Sequence, residues 1–106
     1  MSRENVWLVQ CTDRVDAEVS RLREEYMAGH LAHLESIMDH IAIAGPLKNE
    51  AGDEIVGSLL AYKTDDLDEA KAWLDGDPYA QCGIWEGIEW SRLVLAAGTL
   101  IGGATW

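Results

Sequence analysis

The sequence predicts a single α+β domain whose strands and helices follow the order βαββαβ. Three observations lead to this prediction: runs rich in β-branched and aromatic residues, two segments whose apolar residues recur at three- and four-residue steps, and the way the two kinds alternate along the chain. A chain of 106 residues suits one domain with its own core. We therefore expect one domain over 1–106, with 94–106 as an apolar C-terminal extension.

The first half of the chain predicts a strand followed by a long helix. Asn5–Thr12 is strand-like and ends in a polar turn. From Val15 onward the period changes to that of an amphipathic helix. One side of this helix carries Val15, Val19, Leu22, Tyr26, His30, Leu34, Ile37 and Ile41. Gly29 interrupts it at a cost of about 1 kcal/mol relative to alanine, which predicts close approach by a neighbouring element or a ligand.

The second half predicts a hairpin, a helix and a last strand. Ile41–Leu47 and Glu54–Lys63 are strand-like runs separated by a polar, glycine-containing segment. The helix that follows has Asp65 or Asp66 as its N-cap and acidic residues in its first turn. Gly83–Leu95 is rich in Ile, Trp, Val and Leu and predicts the final strand.

This order is the split βαβ arrangement of a ferredoxin-like fold, in which one face of a four-stranded sheet carries both helices. The first strand is apolar on both faces, since Val6 and Leu8 alternate with Trp7 and Val9. An open face in water would show polar residues at every second position. We therefore expect two sheets to pack face to face in a homodimer, as a dimeric α+β barrel.

Charge and composition exclude several classes of partner. The net charge is −11, and no Lys/Arg cluster offers a site for nucleic acid or an anionic lipid surface. The longest apolar run, Val94–Ala104, is shorter than the roughly 20 residues of a membrane-spanning helix. The first residues lack the apolar core of a signal peptide, so we expect a cytoplasmic protein. Cys11 and Cys82 have no metal-binding spacing, and we expect no cofactor.

Four segments together resemble the YCII-related family. They are HLAHL at His30–Leu34, AGP at Ala44–Pro46, Gly57–Ser58 and DPY at Asp77–Tyr79. Their order and approximate spacing match the family pattern over about residues 5–90. The resemblance implies a dimeric α+β barrel with a pocket near one histidine and one aspartate, here His30 and Asp77, and action on small molecules. Elimination chemistry on ring compounds is one branch of the family.

The residues themselves give His30 two possible roles. Helical spacing places it on the core-facing side, between Tyr26 and Leu34, where a charged imidazolium is costly to desolvate. A neutral imidazole accepts a proton on one nitrogen while it donates from the other, which suits a general base. The alternative is a buried histidine that hydrogen-bonds a backbone carbonyl.

Asp77 likewise has a structural and a chemical interpretation. Asp followed by Pro is a favoured helix start, with the carboxylate capping free amides and the proline in the first turn. A capping carboxylate has a second oxygen, which can fix the tautomer of His30 and stabilise its protonated form. The two roles are compatible if the side chains lie within hydrogen-bonding distance.

His33 lies one turn after His30 and also points to the apolar side. Two imidazoles at this spacing can share a metal, but no third ligand is evident, so we predict no metal site. His33 is a candidate substrate-binding residue instead.

Three further side chains are candidate substrate-binding residues. Family members often carry an arginine three residues before the histidine, where this chain has Met27, and Arg23 is the possible substitute. Ser58, beside a strand glycine, can hydrogen-bond a substrate or serve packing alone. Tyr79 can stack on a ring or fill the core.

The function that we expect is that of a small-molecule enzyme in which His30 and Asp77 transfer a proton, in an isomerisation or elimination. The alternative is a non-catalytic metabolite-binding or dimerisation module of the same fold, because this architecture hosts unrelated functions.

Overall fold

The computed structural model describes residues 5–104 and has the predicted order of elements. In chain order they are β1 (Asn5–Asp13), α1 (Val19–Ser36), β2 (Ile41–Lys48), β3 (Ile55–Tyr62), α2 (Leu67–Asp75), α3 (Pro78–Gln81), β4 (Trp85–Val94), β5 (Ala97–Gly98) and β6 (Gly103–Ala104). The ferredoxin-like βαββαβ prediction is confirmed. The interpretation of Asp77 as the N-cap of a helix is confirmed by α3, whereas the sequence did not predict the small β5–β6 pair.

The four long strands form one antiparallel sheet in the order β2-β3-β1-β4. The central strand β1 pairs with both β3 and β4, so that Val9 faces Leu60 on one side and Trp90 on the other. These residues lie on the face that the helices cover. Both predicted hairpin strands and the predicted last strand are present, with ends shifted by one or two residues, as is usual for element boundaries.

Helix α1 is shorter than predicted at both ends. Val15 is 94% exposed, because the segment before the helix is fixed as a turn in which the Asp16 carboxylate accepts the amide of Glu18. At the other end, α1 stops at Ser36 and a 3₁₀ turn over Met38–His40 leads into β2. The apolar periodicity continued past the hydrogen-bonded helix, and local turn chemistry decided the boundaries.

The core lies between the helices and the covered face of the sheet. Its buried members are Val9, Cys11, Leu60, Tyr62, Ala70, Leu74, Tyr79, Ile84 and Trp85. Helix α1 contributes only partly buried side chains. The predicted close approach at Gly29 is confirmed, because a Cβ atom there would lie 3.1 Å from Cγ of Pro78 in α3. This contact brings the start of α3 against the middle of α1.

The second face of the sheet carries a mixture of apolar and polar side chains. Leu8 and Leu59 are half-buried on it, Ile43 is exposed, and Leu59 lies opposite Gln10. Gln10 pairs with Glu89 on the same face, two residues further along β1. The prediction that both faces are apolar is therefore wrong for the far end of β1. It rested on the first residues of the strand, where the alternation is apolar on both sides.

The predicted C-terminal extension is described as far as Ala104, and its last two residues lie outside the described part of the chain. After β4 it forms the β5–β6 pair around a 3₁₀ turn, with Gly98, Gly102 and Gly103 at positive φ. Leu100 at its tip is exposed. None of the helices within residues 5–104 combines the length and apolar character that crossing a bilayer requires.

Gly57→Ala should destabilise the sheet. A Cβ atom at Gly57 would overlap the backbone carbonyl oxygen of Cys11 on the neighbouring strand, and neither backbone can move freely. We expect the free energy of unfolding, measured in urea, to fall by about 2 kcal/mol. The matched control is Gly45→Ala in β2, where a Cβ meets nothing within 4 Å. Equal stability of the two variants would contradict the close approach.

The free energy of unfolding should fall at alkaline pH, because the core buries the ionisable side chains of Cys11 and Tyr62. Burial, followed by the nearby carboxylates of Asp77 and Asp13, raises the pKa of the Cys11 thiol from 9.0 to about 12. Burial also raises the pKa of Tyr62. The unfolded chain ionises first, so the stabilisation is complete below pH 9.0 and is lost as the pH rises to about 12.

The expected slope is about 1.4 kcal/mol per pH unit for each such group above its ordinary pKa. Urea denaturation between pH 8 and 11 measures it, and Cys11→Ala should remove one group's share. An unchanged slope in Cys11→Ala would contradict this assignment.

Candidate active site

A cavity of about 250 Å³ lies between α1 and the β2–β3 end of the sheet. Its walls are mostly apolar, and come from Met27, Leu31, Leu34, Pro46, Ile55 and Leu60. Arg23, His30, Ser58 and Tyr79 add the side chains that carry polar groups. An apolar cavity with a few convergent polar groups is the usual form of a small-molecule site.

The structure brings His30 and Asp77 into contact at the wall of this cavity. His30 Nδ1 lies 2.7 Å from Oδ2 and 2.9 Å from Oδ1 of Asp77. The Asp77 residue is 0% exposed, and Oδ1 also accepts the amide of Tyr79 at 2.9 Å. Asp77 is therefore the N-cap of α3 and the hydrogen-bond partner of His30 at once. A carboxylate is acceptor-only, so the Nδ1–H of His30 donates to it.

The ring of Tyr79 stacks on one face of the His30 imidazole. The two rings stack with centroids 4.1 Å apart and an interplanar angle of 18°. The Tyr79 hydroxyl donates to the backbone carbonyl of Arg23 at 3.1 Å, which anchors the far end of the ring. Burial raises the pKa of Tyr79, so it remains a neutral donor. Because ring and carboxylate both hold His30, its orientation in the cavity wall is fixed.

Arg23 lies beside Tyr79, but its guanidinium already forms an ion pair with Asp13. Its Nε donates to Asp13 at 3.0 Å and its Nη2 donates to the same carboxylate at 2.8 Å. The side chains are 13% and 4% exposed, respectively. The guanidinium also lies 5.2 Å from the centroid of the Tyr79 ring. Arg23 therefore links the end of β1 to α1 and to Tyr79.

Asp13 is the residue of this site that the sequence did not reveal. It occupies the last position of β1, where an aspartate ordinarily indicates a turn. The one signal that could have found it is the presence of Arg23, a single arginine on the inward side of α1, because a buried guanidinium requires an anionic partner.

The structure places Ser58 in the cavity and His33 outside it. Ser58 is buried in β3 and lines the wall. His33 donates from Nε2 to the backbone carbonyl of Trp73 at 2.7 Å, and its ring lies against Gly76. It joins α1 to the end of α2. Within residues 5–104, no three His, Cys, Asp or Glu side chains converge as metal ligands do.

Fold and site together define a small ferredoxin-like domain with a buried aspartate behind a histidine at the wall of an apolar cavity. Residues 6–93 match the model of the YCII-related domain, and the chain belongs to that family. It is 29% identical over 90 residues to Protein YciI of Escherichia coli O6:H1 and to Protein YciI of Shigella flexneri. These alignments cover 78% of this chain and 90% of each relative.

A solved structure with the same fold is that of TftG from Burkholderia phenoliruptrix, a 5-chloro-2-hydroxyhydroquinone dehydrochlorinase in complex with 2,5-dihydroxybenzoquinone. The TM-score is 0.73 at 23% sequence identity, over 89% of this chain and 96% of TftG. The likeness confirms the fold.

Asp77→Ala should cost more stability than loss of an ordinary helix cap. It removes the cap of α3 and leaves the partly buried His30 without its partner, so we expect a loss of about 3 kcal/mol. Asp66 is the matched control, because it caps α2 through the amides of Asp68 and Glu69 at an exposed position. Asp66→Ala should cost about 1 kcal/mol. Equal losses in urea denaturation would contradict a structural role for the His30 contact.

Proposed function

We propose that the protein is a small-molecule enzyme in which His30 transfers a proton and Asp77 orients it. One observation carries the proposal: the Nδ1 of His30 meets a fully buried carboxylate at the wall of an apolar cavity. A histidine that only satisfied its own hydrogen bonds in a core would need neither a buried anion nor a cavity beside it.

The contact with Asp77 favours Nε2 as the nitrogen that reacts. With Nδ1–H donated to Asp77, the neutral ring carries its lone pair on Nε2, which is therefore the nitrogen available to a ligand. When Nε2 takes a proton, the resulting imidazolium is stabilised by the carboxylate behind it. The same group returns the proton in a later step, so one residue serves as base and then as acid.

The cavity suits a small, mostly apolar molecule such as a hydroxylated ring. Its volume of about 250 Å³ and its apolar walls favour a compact ring over a cofactor-sized ligand. In TftG the same fold binds a dihydroxybenzoquinone and catalyses a dehydrochlorination. For this chain we propose the corresponding class of step. His30 removes a proton, its bonding electrons form a new double bond, and the leaving group departs with its own bonding pair.

Ser58 and Tyr79 have supporting roles in this proposal. The Ser58 hydroxyl lies on the β3 wall of the cavity, where it can hydrogen-bond a substrate oxygen. Tyr79 keeps the plane of the imidazole fixed through the 4.1 Å stack. Pre-positioned groups of this kind reduce the entropy that binding and reaction must overcome.

We also propose that the chain acts as a homodimer through the second face of its sheet. Leu8, Leu59, Ile43 and Leu93 lie on that face, and Ile43 and Leu93 are exposed. Burial of such side chains against a second copy would remove apolar surface from water. Gln10, opposite Leu59, and its other partner Glu89 are polar side chains of the same face.

Replacement of His30 tests the proposed function. Purified protein is incubated with chlorinated hydroxyhydroquinones, including 5-chloro-2-hydroxyhydroquinone, and chloride release is measured. We expect His30→Gln to slow the reaction about 10² to 10⁴-fold, the usual contribution of a general acid–base group.

The control is His40→Gln, an exposed histidine outside the cavity, which should retain the wild-type rate. Full activity in His30→Gln would contradict the proposal. Saturable binding of a ring compound without turnover by the wild type would favour the alternative, a metabolite-binding module.

A further inference from the structure

We infer that the cavity selects electrically neutral ring substrates and rejects anionic ones, with Met27 as the residue that sets this preference. The inference rests on the proposed function, because it names the charge of the substrate that the same cavity accepts. It follows from the charges around the cavity, beginning with those of its own lining.

Arg23 is the one Lys or Arg side chain among the described residues that line the cavity, and it brings no net positive charge. Its guanidinium donates from Nε and Nη2 to the carboxylate of Asp13, at 3.0 and 2.8 Å. Nη2 also lies 3.4 Å from the carbonyl oxygen of Gly57. An anion in the cavity would therefore meet a cation that is already neutralised by a buried carboxylate.

The His30–Asp77 pair brings no net positive charge either. When His30 is neutral, the pair carries the single negative charge of Asp77. When His30 is protonated, the two charges of the pair cancel at a separation of 2.7 Å. In neither state does the pair offer an uncompensated cation to a carboxylate or a phosphate.

The surroundings of the cavity are acidic. A groove adjoins it and shares Arg23, Met27 and Ile55 with it. The acidic residues along this groove include Glu24, Asp53 and Glu54, and the whole chain carries a net charge of −11. A field of this sign lowers the local concentration of anions and slows their association. An anion that entered would also lose hydration without gaining a partner.

A consequence concerns the moment at which charge appears in the reaction. A hydroxylated ring would enter as the neutral phenol, and its proton would pass to Nε2 of His30 only inside the cavity. The phenolate then forms beside an imidazolium whose second N–H is held by Asp77. Negative charge is thus stabilised where the reaction creates it and disfavoured in the incoming molecule, which is the differential binding that catalysis requires.

Met27 determines the preference because of its position. It lies three residues before His30 on the same side of α1, lines both the cavity and the groove, and is 48% exposed. A long cationic side chain at this position would lie at the mouth of the cavity without disturbing the core. Leu31, which is 54% exposed and lines the same cavity, offers a second position of this kind.

The test uses two rings that differ in one charge, 2,5-dihydroxybenzamide and 2,5-dihydroxybenzoate. Their dissociation constants are measured by calorimetry at low ionic strength for the wild type, Met27→Arg and the uncharged control Met27→Gln. We expect the wild type and Met27→Gln to bind the amide at least about tenfold more tightly than the carboxylate, the ratio that corresponds to one close charge interaction. Met27→Arg should bring the two constants together or reverse their order.

Equal or tighter binding of the carboxylate by the wild type would overturn the inference while leaving the proposed ring-binding function intact. If the ratio of the two dissociation constants in Met27→Arg equals that of the wild type, the role of Met27 is overturned. The same result in Leu31→Arg, measured in the same way, would overturn the role of this side of the mouth. Failure of both rings to bind the wild type would overturn the proposed substrate class, and the inference with it.

Discussion

The buried carboxylate of Asp77 is the group on which the rest of this site depends. One oxygen caps α3 through the amide of Tyr79, and both oxygens lie within 2.9 Å of Nδ1 of His30. Removal of a carboxylate from water is costly unless hydrogen bonds replace its hydration. The position of α3, the plane of the imidazole and the charge behind it are therefore determined together, and a change in one alters the others.

A buried ion pair between Arg23 and Asp13 fixes the opposite side of the site. Arg23 joins Asp13 at the end of β1 to helix α1, and its guanidinium lies near the ring of Tyr79, which in turn stacks on His30. Close packing of Gly29 against Pro78 holds α3 at the distance this stack requires. The elements that build the cavity are thus held by directional contacts at both ends, while its walls stay apolar and free to accept a ring.

Much of this arrangement could be predicted from local sequence, and the parts that could not have a common cause. Asp-Pro predicts a helix start wherever it occurs, and the periodicity of α1 shows which of its side chains point inward. Asp77 and His30 could therefore both be identified from the sequence. The periodicity could not separate His30, which faces the cavity, from His33, which donates to the Trp73 carbonyl. Nor could it reveal Asp13, because the pairing of an arginine with a strand-end aspartate depends on how β1 and α1 pack.

The most direct test of the account is the tautomer of His30, read from the ¹⁵N shifts of its imidazole at a pH where the ring is neutral. The account predicts a protonated Nδ1 and a bare Nε2, and it predicts that a bound ring ligand shifts Nε2 more than Nδ1. Asp77→Ala should abolish the preference for a protonated Nδ1. A protonated Nε2 in the wild type would contradict the central claim, because the nitrogen that faces the ligand could then accept no proton.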